Sequence, residues 1–115
     1  MHSFIKIVSA AALLAACGSS QVPPAKFAEA QSQISAADAV GAAHEPRAAL
    51  HLKMARDQLT QAQKLSNDGE DREAALLIAR SKADAEMALM VTREAVARKE
   101  AEHAQKELKS LTPTN

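Results

Sequence analysis

A chain of 115 residues has room for one small domain and no more. It carries 14 basic and 14 acidic residues, two Phe, and neither Trp nor Tyr. It therefore lacks both the basic stripe and the aromatic platforms that nucleic-acid binding requires, and the same shortage of rings excludes a sugar-stacking or flat-cofactor site. Alanine supplies much of the apolar content. Burying a large apolar side chain contributes about 1.5–3 kcal/mol, against about 1–2 kcal/mol for ordering each residue. Such a thin core predicts help from a partner or a second copy.

The chain opens with a weakly positive lead, Met1 to Lys6, followed by an uncharged run from Ile7 to Ala16. Crossing a bilayer takes roughly 20 apolar residues. The run is about half that length, as in the apolar region of an export signal. It stops at Leu14-Ala15-Ala16-Cys17, which holds the only cysteine. This tetrapeptide resembles the lipobox of bacterial lipoproteins. The resemblance implies cleavage between Ala16 and Cys17, a diacylglyceryl group on the Cys17 thiol, and a further acyl chain such as palmitate on the freed amine. Each buried methylene then contributes about 0.8 kcal/mol, and two or more chains anchor stably. Gly18 stands where an acidic residue would, in the enteric sorting pattern, mark retention at the inner membrane. By that likeness the expected location is the outer membrane, facing the periplasm. Losing Lys6 with the signal leaves 13 basic residues against 14 acidic ones, a net charge of −1.

The expected organisation is a signal segment over 1–16, a lipidated Cys17 with a tether over 17–24, a helical domain over 25–111 and a tail over 112–115. Pro24 suits a first helical turn. Phe27, Ala30, Ile34, Ala37 and Val40 then recur at helical spacing. Gly41 and Pro46 end that helix, and Pro46 opens a second, whose stripe is Leu52, Ala55, Leu59, Ala62 and Leu65. Ser66-Asn67-Asp68-Gly69 closes the second helix, with Gly69 as a left-handed cap and Asp68 or Asp71 starting the next. A third helix runs from about Glu70 to Leu111, about 60 Å. Its expected seam is Ala79, Ala83, Met87 and Met90, then Ala97, Ala101, Ala104, Leu108 and Leu111. From Ala83 the spacing is four-three, as in a coiled coil, interrupted by Glu94. Glu94 with Arg98 and Glu102 with Lys106 are predicted surface pairs. The fold class is all-α: an elongated antiparallel three-helix hairpin stack with a long third helix, after an N-terminal signal segment.

Three stretches carry a family resemblance: Gly41-Ala42-Ala43-His44-Glu45-Pro46, then Ala55-Arg56-Asp57-Gln58-Leu59 with Ala62, then Ala83-Asp84-Ala85-Glu86-Met87-Ala88. Together they resemble an alanine-rich domain of unknown function, number 4398, found in small bacterial lipoproteins and ahead of OmpA-like peptidoglycan-binding domains. The likeness covers roughly residues 25–110 and supplies no catalytic residues. The turn Gly69-Glu70-Asp71-Arg72-Glu73-Ala74 is similar to that of tetratricopeptide repeats, but a single hairpin makes no solenoid.

Neither catalytic nor metal nor cofactor residues are expected. His44 and His51 are seven apart without a third soft ligand nearby, and His103 sits alone in a charged run. The carboxylates read as solvated helical faces, each with Lys or Arg within three or four positions, so no enzyme is expected. Met87 and Met90, beside Leu89 and Val91, read as core packed against the first two helices. Two roles remain as expectations. In the first, a membrane-anchored periplasmic lipoprotein acts as a structural or interaction module. Its contact with an envelope protein or a second copy lies on the distal half of the third helix, at Arg93, Val96, Ala97, Ala101, Ala104 and Leu108. The second is a binding module for a small apolar or lipid-like ligand, with a cavity bounded by Met87, Met90, Leu52 and Leu59.

Overall fold

In a computed structural model the described residues, 21–112, form three α-helices and one short 3-10 turn. Helix α1 spans Pro24–Ala39 and α2 spans Pro46–Asn67, with the 3-10 turn Ala42–His44 between them. Helix α3 spans Asp71–Leu111. No strand occurs among the described residues.

Each boundary has a local cause. Pro24 and Pro46 sit in the first turns of α1 and α2, where the missing N–H had no helical partner. Gly41 ends the first helix at φ 88°, a conformation that costs an L side chain about 1–2 kcal/mol. Glu45 caps α2, its carboxylate accepting from the Ala48 N–H at 2.6 Å. At the far end of α2, Gly69 N–H bonds Ser66 O at 3.2 Å and Glu70 N–H bonds Leu65 O at 2.8 Å. With Gly69 at φ 82° these two bonds form a Schellman closure, which satisfies the last carbonyls of the helix. Asp71 starts α3 as expected, but as its first helical residue and without a side-chain capping bond. It lies just inside the helix, buried, and its carboxylate accepts from Val22 N–H at 3.3 Å and Ser66 Oγ at 3.4 Å.

The helices run up, down and up. Arg56 of α2 reaches Asp38 of α1 at 2.9 Å, Ser81 of α3 donates to Ala55 O of α2 at 2.7 Å, and Lys82 of α3 donates to Glu29 of α1 at 2.8 Å. The stripes expected of α1 and α2 face inward, although Val40 is exposed. Two clusters form the core. One gathers Ile34, Ala37, Leu52, Ala55, Ala85, Ala88 and Val91; the other gathers Ala30, Ala62, Ala74 and Ile78, with Leu59 touching both. Nine of the thirteen buried apolar residues among those described are alanine, so the axes approach closely while each contact removes little area from water.

The seam of α3 differs from the one expected. The residues facing α1 and α2 are Ala74, Ile78, Ser81, Ala85, Ala88, Val91 and Thr92, whereas Ala79, Ala83, Met87 and Met90 are exposed. From Ser81 and Ala83 onward both sets follow a four-three rhythm and lie two residues apart, about 200° around the helix. The inward set reads as broken in the sequence because Ser81 and Thr92 are polar. Each finds a backbone acceptor inside the fold, Ser81 at Ala55 O and Thr92 at Ala88 O (2.8 Å). Met87 and Met90 are therefore not core: they stand 46% and 58% exposed.

Candidate functional site

Residues Ala16 and Cys17, the expected cleavage and lipidation positions, lie outside the described residues. The other expected site residues, Arg93, Val96, Ala97, Ala101, Ala104 and Leu108, all lie in the last part of α3 and are all exposed. The reason is geometric. The bundle covers α3 as far as Thr92, with Ala95 half-buried as the last contact. Residues 93–111 continue for about 28 Å beyond both shorter helices.

The sequence of this overhang matches that geometry. Continuing the inward seam past Ala95 leads to Lys99, Glu102, Lys106 and Lys109, side chains suited to water. Continuing the outer stripe past Met90 leads to Glu94, then Ala97, Ala101, Ala104, Leu108 and Leu111. The stripe expected to be the seam is thus a second apolar face, running down the outside of the bundle and along the overhang. Leu108 and Leu111 are 65% and 75% exposed. The Glu94–Arg98 pair forms along this face, whereas the expected Glu102–Lys106 pair does not.

Two polar features lie within the bundle. At the α2–α3 contact, Asp84 accepts from Gln58 Nε2 at 2.8 Å and meets His51 Nδ1 at 2.9 Å. Asp84 therefore makes an interhelical contact with His51 and Gln58 and is not part of the solvated face expected for the carboxylates. His44 lies exposed in the 3-10 turn and His103 exposed on the overhang. No three His, Cys, Asp or Glu side chains gather as metal ligands would among the described residues. On the α1 side, Lys82 donates to the Glu29 carboxylate, and Lys26 stands beside it at 3.8 Å. The bond from Lys82 and the field of Lys26 lower the Glu29 pKa below that of an ordinary glutamate.

The cavity expected between Met87, Met90, Leu52 and Leu59 is not formed. Leu52 is buried in the core and the two methionines occupy the opposite, outer face of α3. A cleft of about 760 Å³ lies elsewhere, where Val22 and Pro23 pass the start of α3. Its wall is Ala75, Ile78 and Ala79, and Lys26, Arg72 and Lys82 stand around it. Sequence spacing had no signal for this cleft, because it depends on Asp71 tying Val22 back to α3.

No helix among the described residues is long and apolar enough to cross a membrane. Neither a curated relative nor a solved structure matches the chain. One family model does match, over residues 25–104, which takes in all three helices and the first part of the overhang. The chain belongs to that family, the domain of unknown function DUF4398.

Proposed function

We propose that this chain is a lipid-anchored protein of the bacterial cell envelope, held at the periplasmic face of the outer membrane through Cys17, where it serves as a noncatalytic structural or protein-interaction module. The observation that carries the interaction role is the overhang. A helix end that leaves its own bundle while keeping an apolar stripe at coiled-coil spacing presents a surface for another helix. Anchoring is supported by the resemblance of Leu14-Ala15-Ala16-Cys17 to a lipobox.

Two measurements test the two halves of the proposal. The intact mass of membrane-extracted protein is expected to lack Met1 to Ala16 and to carry acyl chains on Cys17; a full-length chain with a free thiol overturns the anchoring. Cross-linking in cells is expected to give adducts from the full chain that vanish on truncation before Arg93. Adducts that survive the truncation overturn the placement of the contact.

The cleft beside Val22 favours a second reading, a site for a small anionic amphiphile with its chain on Ile78 and Ala79 and its head near Arg72. Arg72 makes no ion pair among the described residues, while Lys82 and Lys26 share Glu29. Dodecyl phosphate is expected to shift the NMR signals of Ala75, Ile78 and Ala79 where dodecyl maltoside does not. Equal shifts from both would remove the charge-based part of this reading.

A further inference from the structure

We infer that the outer stripe of α3 pairs with the same stripe of a second copy, antiparallel, so that the overhang of each chain covers the exposed methionines of the other. This deepens the proposed interaction role and rests on it. The two features that need explaining are an apolar stripe with no partner at the overhang, and the exposed Met87 and Met90 on the bundle. One symmetric arrangement covers both.

The register follows from side-chain size. Along the stripe, Ala83, Met87, Met90, Glu94, Ala97, Ala101, Ala104 and Leu108 fall at successive seam positions. Set antiparallel with its midpoint between Glu94 and Ala97, the stripe brings Ala83 opposite Leu108 of the second copy. Met87 then meets Ala104, Met90 meets Ala101, and Glu94 meets Ala97. Every layer joins one long side chain to one small one, which fills space at constant helix separation. Arg93 comes beside Glu100 of the second copy, twice by symmetry. Glu86 comes beside Glu107, so size more than charge sets the register.

Other pairings fare worse. A parallel pair in register sets Met87 on Met87, Glu94 on Glu94, alanine on alanine at four layers, and Arg93 beside Arg98. Sliding the antiparallel pair one heptad toward the tip sets Ala97 on Ala101 and brings the two Glu100 side chains together. Sliding it the other way brings the two Arg93 side chains together. In the favoured register α3 of one chain lies along the other over residues 80–111, about 48 Å. At a contact width of roughly 10 Å this covers about 1,000 Å² in total, close to the lower limit for a specific interface. The bundles lie on the far sides of the paired helices, because α1 and α2 occupy the opposite face. The expected product is a dimer that dissociates on dilution.

Oxidative cross-linking in native membranes tests this on the whole chain, with the unchanged chain, whose only cysteine is Cys17, as background. The pair Met87→Cys and Ala104→Cys in one chain is expected to give a covalent dimer. Ala104→Cys alone is expected to give none, since the two positions then lie about 25 Å apart. Dimer from Ala104→Cys alone overturns the antiparallel register, and monomer from every variant overturns self-pairing. In the doubly substituted background, Arg93→Glu should lower the yield about tenfold, and adding Glu100→Arg should restore it; loss without restoration overturns the Arg93–Glu100 contact. All four positions are exposed, and unchanged helical content by circular dichroism shows that each variant folds. The mass at Cys17 reports anchoring independently, so failure of pairing and failure of anchoring give separate results.

Discussion

Residues 71–92 and 93–111 belong to one unbroken helix, share its alanine-rich composition and repeat apolar residues at the same spacing, yet they live in opposite environments. The first part buries Ala74, Ile78, Ser81, Ala85, Ala88 and Val91 against two neighbours; in the second, Ala95 is half-buried and every later residue is exposed. The difference lies in which stripe carries the apolar residues. In the bundle both the inner and the outer stripes are apolar, whereas past Ala95 the inner stripe turns to Lys99, Glu102, Lys106 and Lys109 and only the outer one remains. Period alone identifies a helix. What fills each face identifies where the bundle ends.

The largest effect expected from this contrast is at Leu52, the largest apolar side chain that is fully enclosed. Leu52→Ala should lower stability by about 2–5 kcal/mol, whereas Leu108→Ala should change it by about 0.5 kcal/mol or less at dilutions where single chains predominate. Urea denaturation followed by circular dichroism compares the two, and similar losses would abolish the distinction between the regions. Next comes Gly69→Ala, which forces a side chain into φ 82° at the α2–α3 turn and should cost about 1–2 kcal/mol. No neighbouring atom would meet the added carbon, so the loss would report backbone strain alone.

A third substitution sharpens the contrast from the other side. Ala101→Gly should weaken the overhang by about 1 kcal/mol and speed amide exchange across residues 96–111, leaving Ile78 to Val91 at the protection of global unfolding. Uniform exchange along α3 would mean that the overhang is held as firmly as the bundle. The smallest effect concerns Glu29. Its lowered pKa means that the native state holds the carboxylate charged more strongly than the unfolded chain does. The sign follows: its contribution is present above the unfolded value and is lost as pH falls through the folded one. Because Glu29 is exposed, that contribution is small. NMR titration should find Glu29 below an ordinary glutamate, and Lys82→Met should move it back up.

Much of the fold was legible in the residues because its punctuation is local. Pro24, Gly41, Pro46 and Gly69 place both ends of α1 and α2 through backbone geometry that depends on near neighbours alone. The stripes of α1 and α2 were legible because each has a single apolar face. The seam of α3 was not, because two apolar stripes compete there and the correct one contains Ser81 and Thr92. Only a distant carbonyl, Ala55 O, makes Ser81 an interior residue, and no spacing rule reports a bond across 26 positions. The same applies to the contacts of Asp84 with His51 and Gln58, and to Asp71, which holds Val22 from 49 positions away. Of the candidate site, the overhang residues and their continuity with Met87 and Met90 in one stripe were legible, whereas the position of that stripe on the outer face, and not in the seam, was visible only after folding.

A helix gripped over its first half and free over its second behaves mechanically as a cantilever. With the grip ending at Thr92, a tilt of about 5° in the bundle displaces the tip at Leu111 by roughly 2–3 Å sideways, in proportion to the unsupported length. A single chain would therefore convert small rearrangements at its base into larger excursions at its end. A spin label at Leu111 would detect them before one placed on the bundle.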